Sequence, residues 1–349
     1  MRTIVSVQDV LELEIKPDNL LAEFYALTEE AVKQRLAAAA ELRPVPCPGC
    51  GSSKSDRAFE KFNLTYRQCR DCASLFVSPR PSEAALADYY RRSPAARFWR
   101  EHVLPATEAA RREKIIEPRA QWVLDGIAEY APHAAVGLDV SSYGAALTKV
   151  LLQSWTSPAP LRFIAAGSLA DLDSGTPAEG IEVAPRLLVD VPSLGPVDFI
   201  TAFDFLDRCA DVPAFLRAVS AVLPRGGLLF LTAPSISGFD LQNLWDRSRT
   251  ISPPDRLNLL STEGFAALFT AAGWEICEFS TPGMFDVEAV RRAIEADPDG
   301  EWPRFIRYLL KKRNEQALLA FQEYLQQYRL SSFARIVVRK TGQDRFHLV

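Results

Sequence analysis

Apolar residues return at roughly helical spacing across positions 8–42, at Leu11, Leu20, Leu21, Phe24, Leu27, Val32 and Leu36, with alanines at 37–40 prolonging the stretch. This predicts a helical arm over residues 1–45. The run Leu75-Phe76-Val77 predicts a short strand ended by Pro79 and Pro81, and Ser82 is placed to cap a helix reaching Tyr89 and Tyr90. Residues 95–130 read as mainly helical, interrupted near Pro105 and Pro118. From position 134 the pattern changes to short apolar runs between helical stretches. Strands are expected at 136–140, 161–165, 181–183, 197–205 and 228–232, with helices over 145–153 and 213–223 and a turn at Pro224-Arg225-Gly226-Gly227. That alternation predicts a parallel sheet covered on both faces, a doubly wound α/β domain. A helix over 262–272 follows, with Ser261 and Thr262 as caps and Gly273 as its stop, then a strand at 274–280. Helical stretches at about 286–297 and 302–328 precede a last strand at 333–339, so the helical pair (about 286–330) is expected as an insertion between the last two strands, roofing the sheet's active edge.

Composition narrows the classes. With 349 residues and 48% hydrophobic content, the chain exceeds one ordinary domain and can bury a substantial core. Its apolar runs, such as 227–231, are far too short to cross a bilayer, so no membrane partner is expected. A formal net charge of -4 argues against a broad electrostatic field for nucleic acid.

The cysteines add a metal. Cys47-Pro48-Gly49-Cys50 and Cys69-Arg70-Asp71-Cys72 are two pairs separated by about 18 residues, the spacing of a zinc ribbon over 46–81. The sequence starts without a secretory signal, so a reducing, cytoplasmic setting and a structural zinc are expected rather than disulfides. Four thiolates close the coordination sphere, so the site stabilises and does no chemistry. Residues 82–132 then form a helical connector to the α/β domain at 133–349. Cys209 and Cys277 read as buried small side chains.

In an open α/β sheet, ligands sit at the carboxyl ends of the strands where strand order reverses. The first such end here is Leu138-Asp139-Val140-Ser141-Ser142-Tyr143-Gly144. This segment, with Val197-Asp198-Phe199-Ile200, Phe205-Leu206, the Pro224–Gly227 turn, Thr232-Ala233-Pro234 and Pro254-Asp255-Arg256-Leu257, resembles the class I S-adenosylmethionine-dependent methyltransferases, and with the ribbon it is similar to bacterial zinc-ribbon members of that family. The resemblance implies S-adenosylmethionine as cofactor, held around Asp139, Ser141, Gly144, Ala166, Asp190 and Phe205. The chain departs from the family pattern in four places. Ser141, Ser142 and Tyr143 occupy a stretch that is normally glycine, in a loop one residue short. Ala166 stands where a carboxylate usually meets the ribose hydroxyls. Leu206-Asp207-Arg208 replaces Leu-Glu-His, and Arg256 replaces a histidine.

Each position has a plainer alternative. Asp139 either binds the methionine amino group through the loop or orders a strand-to-helix turn, and Asp190 either meets the adenine or turns the chain before Pro192. Asp207 with Arg208, and Asp255 with Arg256, either face the substrate or form exposed pairs that contribute little. Tyr143 either packs on the cofactor or fills its place. A hydroxyl acceptor needs a base, for which Asp207, Asp255 and Tyr143 are the candidates. The leading expectation is methyl transfer to a small metabolite or carbohydrate. The alternatives are a catalytically inactive methyltransferase-like protein that binds a partner, and RNA methylation with the ribbon as reader.

Overall fold

The computed structural model describes residues 15, 17–38, 41–140, 146–156, 161–165, 181–183 and 195–342. Helix α1 (Asp18–Val32) continues through one π-helical turn to Ala37. The helical expectation to residue 42 is corrected at its end: Leu42–Arg43 form strand β1, paired with β5 (Arg80–Pro81). The ribbon consists of β2 (Ser55–Lys61), β3 (Leu64–Cys69) and β4 (Leu75–Val77), all antiparallel. Helix α2 (Glu83–Arg92) follows, its first turn capped by Ser82, whose hydroxyl accepts from the Ala85 N–H.

The prolines at 105 and 118 do not break the next helix. The chain is helical without a gap from Pro94 to Tyr130, as α3 (Pro94–Phe98), α4 (Leu104–Arg111) and α5 (Glu117–Tyr130), joined by π-helical turns at Trp99–Val103 and Arg112–Ile116. Proline lacks an N–H and crowds the carbonyl four residues back, and a widened turn just before it relieves both problems.

The α/β domain is a seven-stranded sheet. Its strands are β6 (Val136–Asp139), β7 (Arg162–Ala165), β8 (Ile181–Val183), β9 (Phe199–Phe203), β10 (Leu228–Pro234), β12 (Trp274–Ser280) and β13 (Phe333–Lys340), in the order β12-β13-β10-β9-β6-β7-β8. Six of them run in one direction, but β13 is antiparallel to both its neighbours, β10 and β12, which corrects the all-parallel expectation. The cause is the connection. The chain between β12 and β13 leaves and re-enters at one end of the sheet, whereas a parallel return needs a crossover to the other end.

Successive residues of β9 and β10 point to opposite faces. Ile200, Leu229 and Leu231 pack under α6 (Val212–Val222) and α7 (Thr262–Ala272), against Phe215, Val219 and Phe269. Phe199, Phe203 and Phe230 meet Trp122, Val123 and Ile127 of α5 on the other face. Close approach there depends on Gly126, where a Cβ would lie 2.5 Å from the Phe230 ring. Helix α7 has the expected ends: Ser261 caps it, and Gly273 stops it at φ 74°. Cys209 is buried as expected and Cys277 is half-buried.

Between β12 and β13 lie α8 (Asp286–Ala296), α9 (Arg304–Lys312) and α10 (Glu315–Gln327). The expected single stretch at 302–328 is therefore two helices. Asn314 makes the break, its side chain accepting from the Ala317 N–H as the cap of α10. Val287, Val290, Ile294, Leu310 and Leu325 form a small core of their own with Leu244. No helix among the described residues is long and apolar enough to cross a membrane.

Candidate active site

The carboxyl ends of β6 and β9 adjoin where the strand order reverses, and a cavity of about 360 Å³ opens beside them over the ends of β9 and β10. Its floor carries Asp204, Pro234 and Phe333, its roof Phe24 of α1 and Trp99, and one side is the segment 282–286 leading into α8. The insertion reaches the cavity because β12 ends on this side of the sheet.

Asp204 ends β9 at φ 51°, a conformation few residues other than glycine adopt and aspartate tolerates better than most. Its N–H donates to the Thr232 carbonyl at 2.9 Å, and its carboxylate accepts from Arg119 Nη1, also at 2.9 Å. This buried pair fixes the connector helix to the floor. Asp204 lies between two of the recognised segments, yet its role depends on Arg119, 85 positions earlier, and no local pattern reveals that pairing.

The loop after β9 is held from below. Asn258 Nδ2 donates to the carbonyls of Leu206 and Cys209, both at 2.8 Å, and the buried Arg80 donates to the Ala210 carbonyl at 3.1 Å. Asp207 is consequently fully buried and lies outside the cavity wall. It is neither exposed nor paired with Arg208; its carboxylate is held by Arg256. Burial pushes its pKa up to about 6, outweighing the opposing pull of Arg256 and Arg208. Asp255 does line the cavity. It accepts from the Tyr90 hydroxyl at 3.0 Å and lies 3.6 Å from Arg208 Nε.

Two further carboxylates on the wall were not anticipated from sequence. Asp286 accepts from the Ser331 hydroxyl at 2.6 Å, the Ser332 N–H at 2.7 Å and Gln322 Nε2 at 2.8 Å. Asp240 is buried against it with one oxygen unpartnered, and burial followed by the neighbouring Asp286 charge drives its pKa well above the carboxylate range. Their only sequence signal is an acid in the first turn of a helix, which most helices show.

At the cofactor end, Asp139 is buried, with Oδ1 accepting from Thr201 at 2.8 Å and Oδ2 from Thr148 at 3.2 Å. These bonds join β6 to β9 and to the helix at Ala146–Ser154. Phe205 packs on Phe215 with ring centroids 4.8 Å apart and does not line the cavity. Ser141, Tyr143, Gly144, Ala166 and Asp190 lie outside the described residues.

The four ribbon cysteines converge. Their sulfurs lie within 4.8 Å of one another, with Cys47–Cys72 and Cys50–Cys69 each at 3.5 Å and no disulfide among them. Zinc–sulfur bonds of about 2.3 Å in a tetrahedron imply sulfur separations of about 3.8 Å, so the donor set and spacing fit zinc. Each knuckle closes through a left-handed residue, Gly51 at φ 74° and Ala73 at φ 59°. The centre is tied to the α/β domain. Ser261 donates its hydroxyl to the Cys72 carbonyl and its N–H to Ser74 Oγ, and strand β11 (Asn258–Leu259) extends the ribbon sheet beside β4.

Residues 108–278 match the family described as a methyltransferase domain. No curated protein matches the chain. Among solved structures, the plantazolicin methyltransferase BpumL with S-adenosylhomocysteine is 8% identical with a TM-score of 0.44, over 73% of this chain and 94% of that one. A loganic acid methyltransferase is 11% identical with a TM-score of 0.36, over 68% and 96%. A protein of Galdieria sulphuraria described as a sarcosine dimethylglycine methyltransferase is 16% identical with a TM-score of 0.41, over 64% and 86%. The family match runs from the connector helix through most of β12 and encloses the point where the strand order reverses, so this stretch of the chain resembles a methyltransferase domain.

Proposed function

We propose that the protein methylates a small-molecule acceptor, a metabolite or carbohydrate, in the cavity over β9 and β10, using S-adenosylmethionine. The observation that carries this is the cavity itself. It adjoins the reversal point of a methyltransferase sheet, and its size and the roof formed by Phe24 and Trp99 suit a small molecule better than a strand of RNA.

The described residues fit the cofactor in part. Asp139, aligned by Thr148 and Thr201, sets the loop that leaves β6 at the reversal point, and by the family resemblance Ser141, Gly144 and Asp190 complete the hold. S-adenosylmethionine, when bound, supplies an electrophilic methyl group on a sulfonium. The protein's part is alignment and exclusion of water, because such a displacement must be in line. The roof covers the acceptor, and the Arg119–Asp204 pair fixes the floor. Where the acceptor atom carries a proton, Asp255 is the wall carboxylate placed to take it, because Asp240, buried against Asp286, is held in its protonated form. Asp207, beneath the wall, holds Arg256 in place.

The second reading, a methyltransferase-like protein that binds without catalysis, is favoured by one observation: both oxygens of Asp139 are engaged by side-chain hydroxyls. Calorimetry with S-adenosylmethionine and S-adenosylhomocysteine decides between the two. We expect weak but measurable binding, and Ala166→Asp should tighten it roughly tenfold to a hundredfold by supplying the missing ribose partner. No binding at millimolar cofactor, with Ala166→Asp equally silent, would overturn the enzymatic reading.

A further inference from the structure

The charges on the cavity wall do not balance. Seven arginine or lysine side chains line it against four aspartates, and those aspartates are already committed. Asp204 is paired with Arg119 and Asp255 with Arg208, while Asp240 and Asp286 face each other. Arg256 turns away to the buried Asp207. Lys114 pairs with Glu113 at 2.9 Å and Arg111 donates to Thr107 and the Ile15 carbonyl, which leaves Arg249 and Arg335, among the described residues, as the wall cations with neither an ion pair nor a hydrogen bond.

Arg335 is the more telling of the two. It stands on β13, mostly buried, and its Nε has no hydrogen-bond partner. Its guanidinium carbon lies 5.6 Å from the Trp122 ring and 6.0 Å from that of Phe333, and Arg119 lies 5.0 Å above the same Phe333 ring. Aromatic faces offset part of the cost of burying a cation, but they leave a guanidinium's N–H donors unmet. Burial, reinforced by the positive charge of Arg119 and opposed by Glu278, holds the Arg335 pKa down to about 10. Of the two carboxylates near these guanidinia, Asp204 is paired with Arg119 and Glu278 accepts from Trp122 Nε1 at 3.0 Å, so the two guanidinia flanking Phe333 form a fork open to a further anion. Nearby, the rings of Phe24 and Trp99, 4.9 Å apart, give the same cavity an apolar roof.

We infer that the acceptor is a small acid whose carboxylate or phosphate docks at Arg335 beside Arg119 and whose apolar or ring portion lies under Phe24 and Trp99. This rests on the cavity being the acceptor site. It narrows the substrate class from any small metabolite to an anionic one with a flat or apolar body. Arg335 is the specificity-determining residue, since Arg119 is already neutralised by Asp204.

The test uses the full-length protein and three matched probes, phenyl phosphate, benzoate and phenol, titrated calorimetrically with and without S-adenosylhomocysteine. At least one acid should bind saturably and tenfold or more tighter than phenol, and which acid wins separates a phosphate from a carboxylate head. Arg335→Gln should weaken the favoured acid tenfold or more while leaving S-adenosylhomocysteine affinity and circular dichroism unchanged, and Arg335→Lys should recover part of the loss. Phenol binding as well as both acids, or Arg335→Gln leaving acid affinity untouched, overturns the inference. The comparison of acid with phenol needs no variant, so a misfolded Arg335→Gln does not protect the idea. Acid binding without any S-adenosylhomocysteine binding would support the anion site while sinking the methyltransferase reading; the reverse pattern would sink the anion site alone.

Discussion

Cys69→Ser is expected to release the metal and to unfold the ribbon together with the start of α7. Cys69 ends β3, its N–H donates to the Ser74 carbonyl at 2.9 Å, and its sulfur faces that of Cys50 at 3.5 Å. In small zinc modules the metal's binding energy is folding energy, on the order of 10 kcal/mol, so removing one ligand of four leaves little to order the two knuckles. The effect should not stop at the ribbon. Cys72 and Ser74 receive the hydroxyl and N–H of Ser261, the residue that caps α7, and β4 pairs with β11 immediately after Arg256. Loss of the metal should therefore loosen the cavity wall that carries Asp255 and Arg256, weakening acceptor binding as well as stability. Elemental analysis should find one zinc per wild-type chain and less in the variant, and amide hydrogen exchange should quicken in both the knuckles and residues 257–264. A wild-type protein purified without metal, with those amides still protected, would refute the assignment.

What the chain reveals in advance follows from how far apart the deciding residues lie. Helix α7 and strand β12 were readable to the residue because their signals are local: Ser261 at the cap, Gly273 in the left-handed stop, and an apolar run between turns. The cysteine cluster was readable for the same reason, since each knuckle is four residues long. The connector prolines misled because a helix can absorb a proline by widening one turn, and only packing of α5 on the sheet decides whether it does. The direction of β13 depended on where the insertion enters and leaves. The candidate site was the least legible part. Asp207 stands where the family places a residue near the substrate, but Asn258 and Arg80 draw its loop down onto the ribbon and bury it, a result of contacts 51 and 127 residues away. Asp204, Asp240, Asp286 and Arg335 gain their meaning only when β9, β10, β13 and the connector helix are brought together.

Arg256→Ala should be among the most destabilising single changes outside the metal centre, costing about 3–5 kcal/mol, because it strands a buried carboxylate. Asp207 has no exposed surface, and its second oxygen has no hydrogen-bond partner, so the Arg256 guanidinium is its main compensation. The pH dependence follows from the direction of the Asp207 shift. Its folded-state pKa, pushed up by burial to about 6, lies above its ordinary value of 3.8, so the folded protein binds the proton more tightly than the unfolded chain does. The favourable contribution of the protonated carboxyl is complete below about pH 4 and is lost as the pH rises through the folded-state value. Without Arg256 that value moves higher still, so the cost of Arg256→Ala should be small near pH 5 and grow toward pH 8. Asp207→Asn should remove most of this dependence, and the double variant Asp207→Asn with Arg256→Ala should be more stable at pH 8 than Arg256→Ala alone, since no buried carboxylate is then left without its partner. Urea unfolding of the four proteins at pH 5 and pH 8 supplies the cycle. An equal cost for Arg256→Ala at both pH values, or the same cost whether position 207 is aspartate or asparagine, would show that Arg256 acts through its side-chain packing rather than through the buried carboxylate.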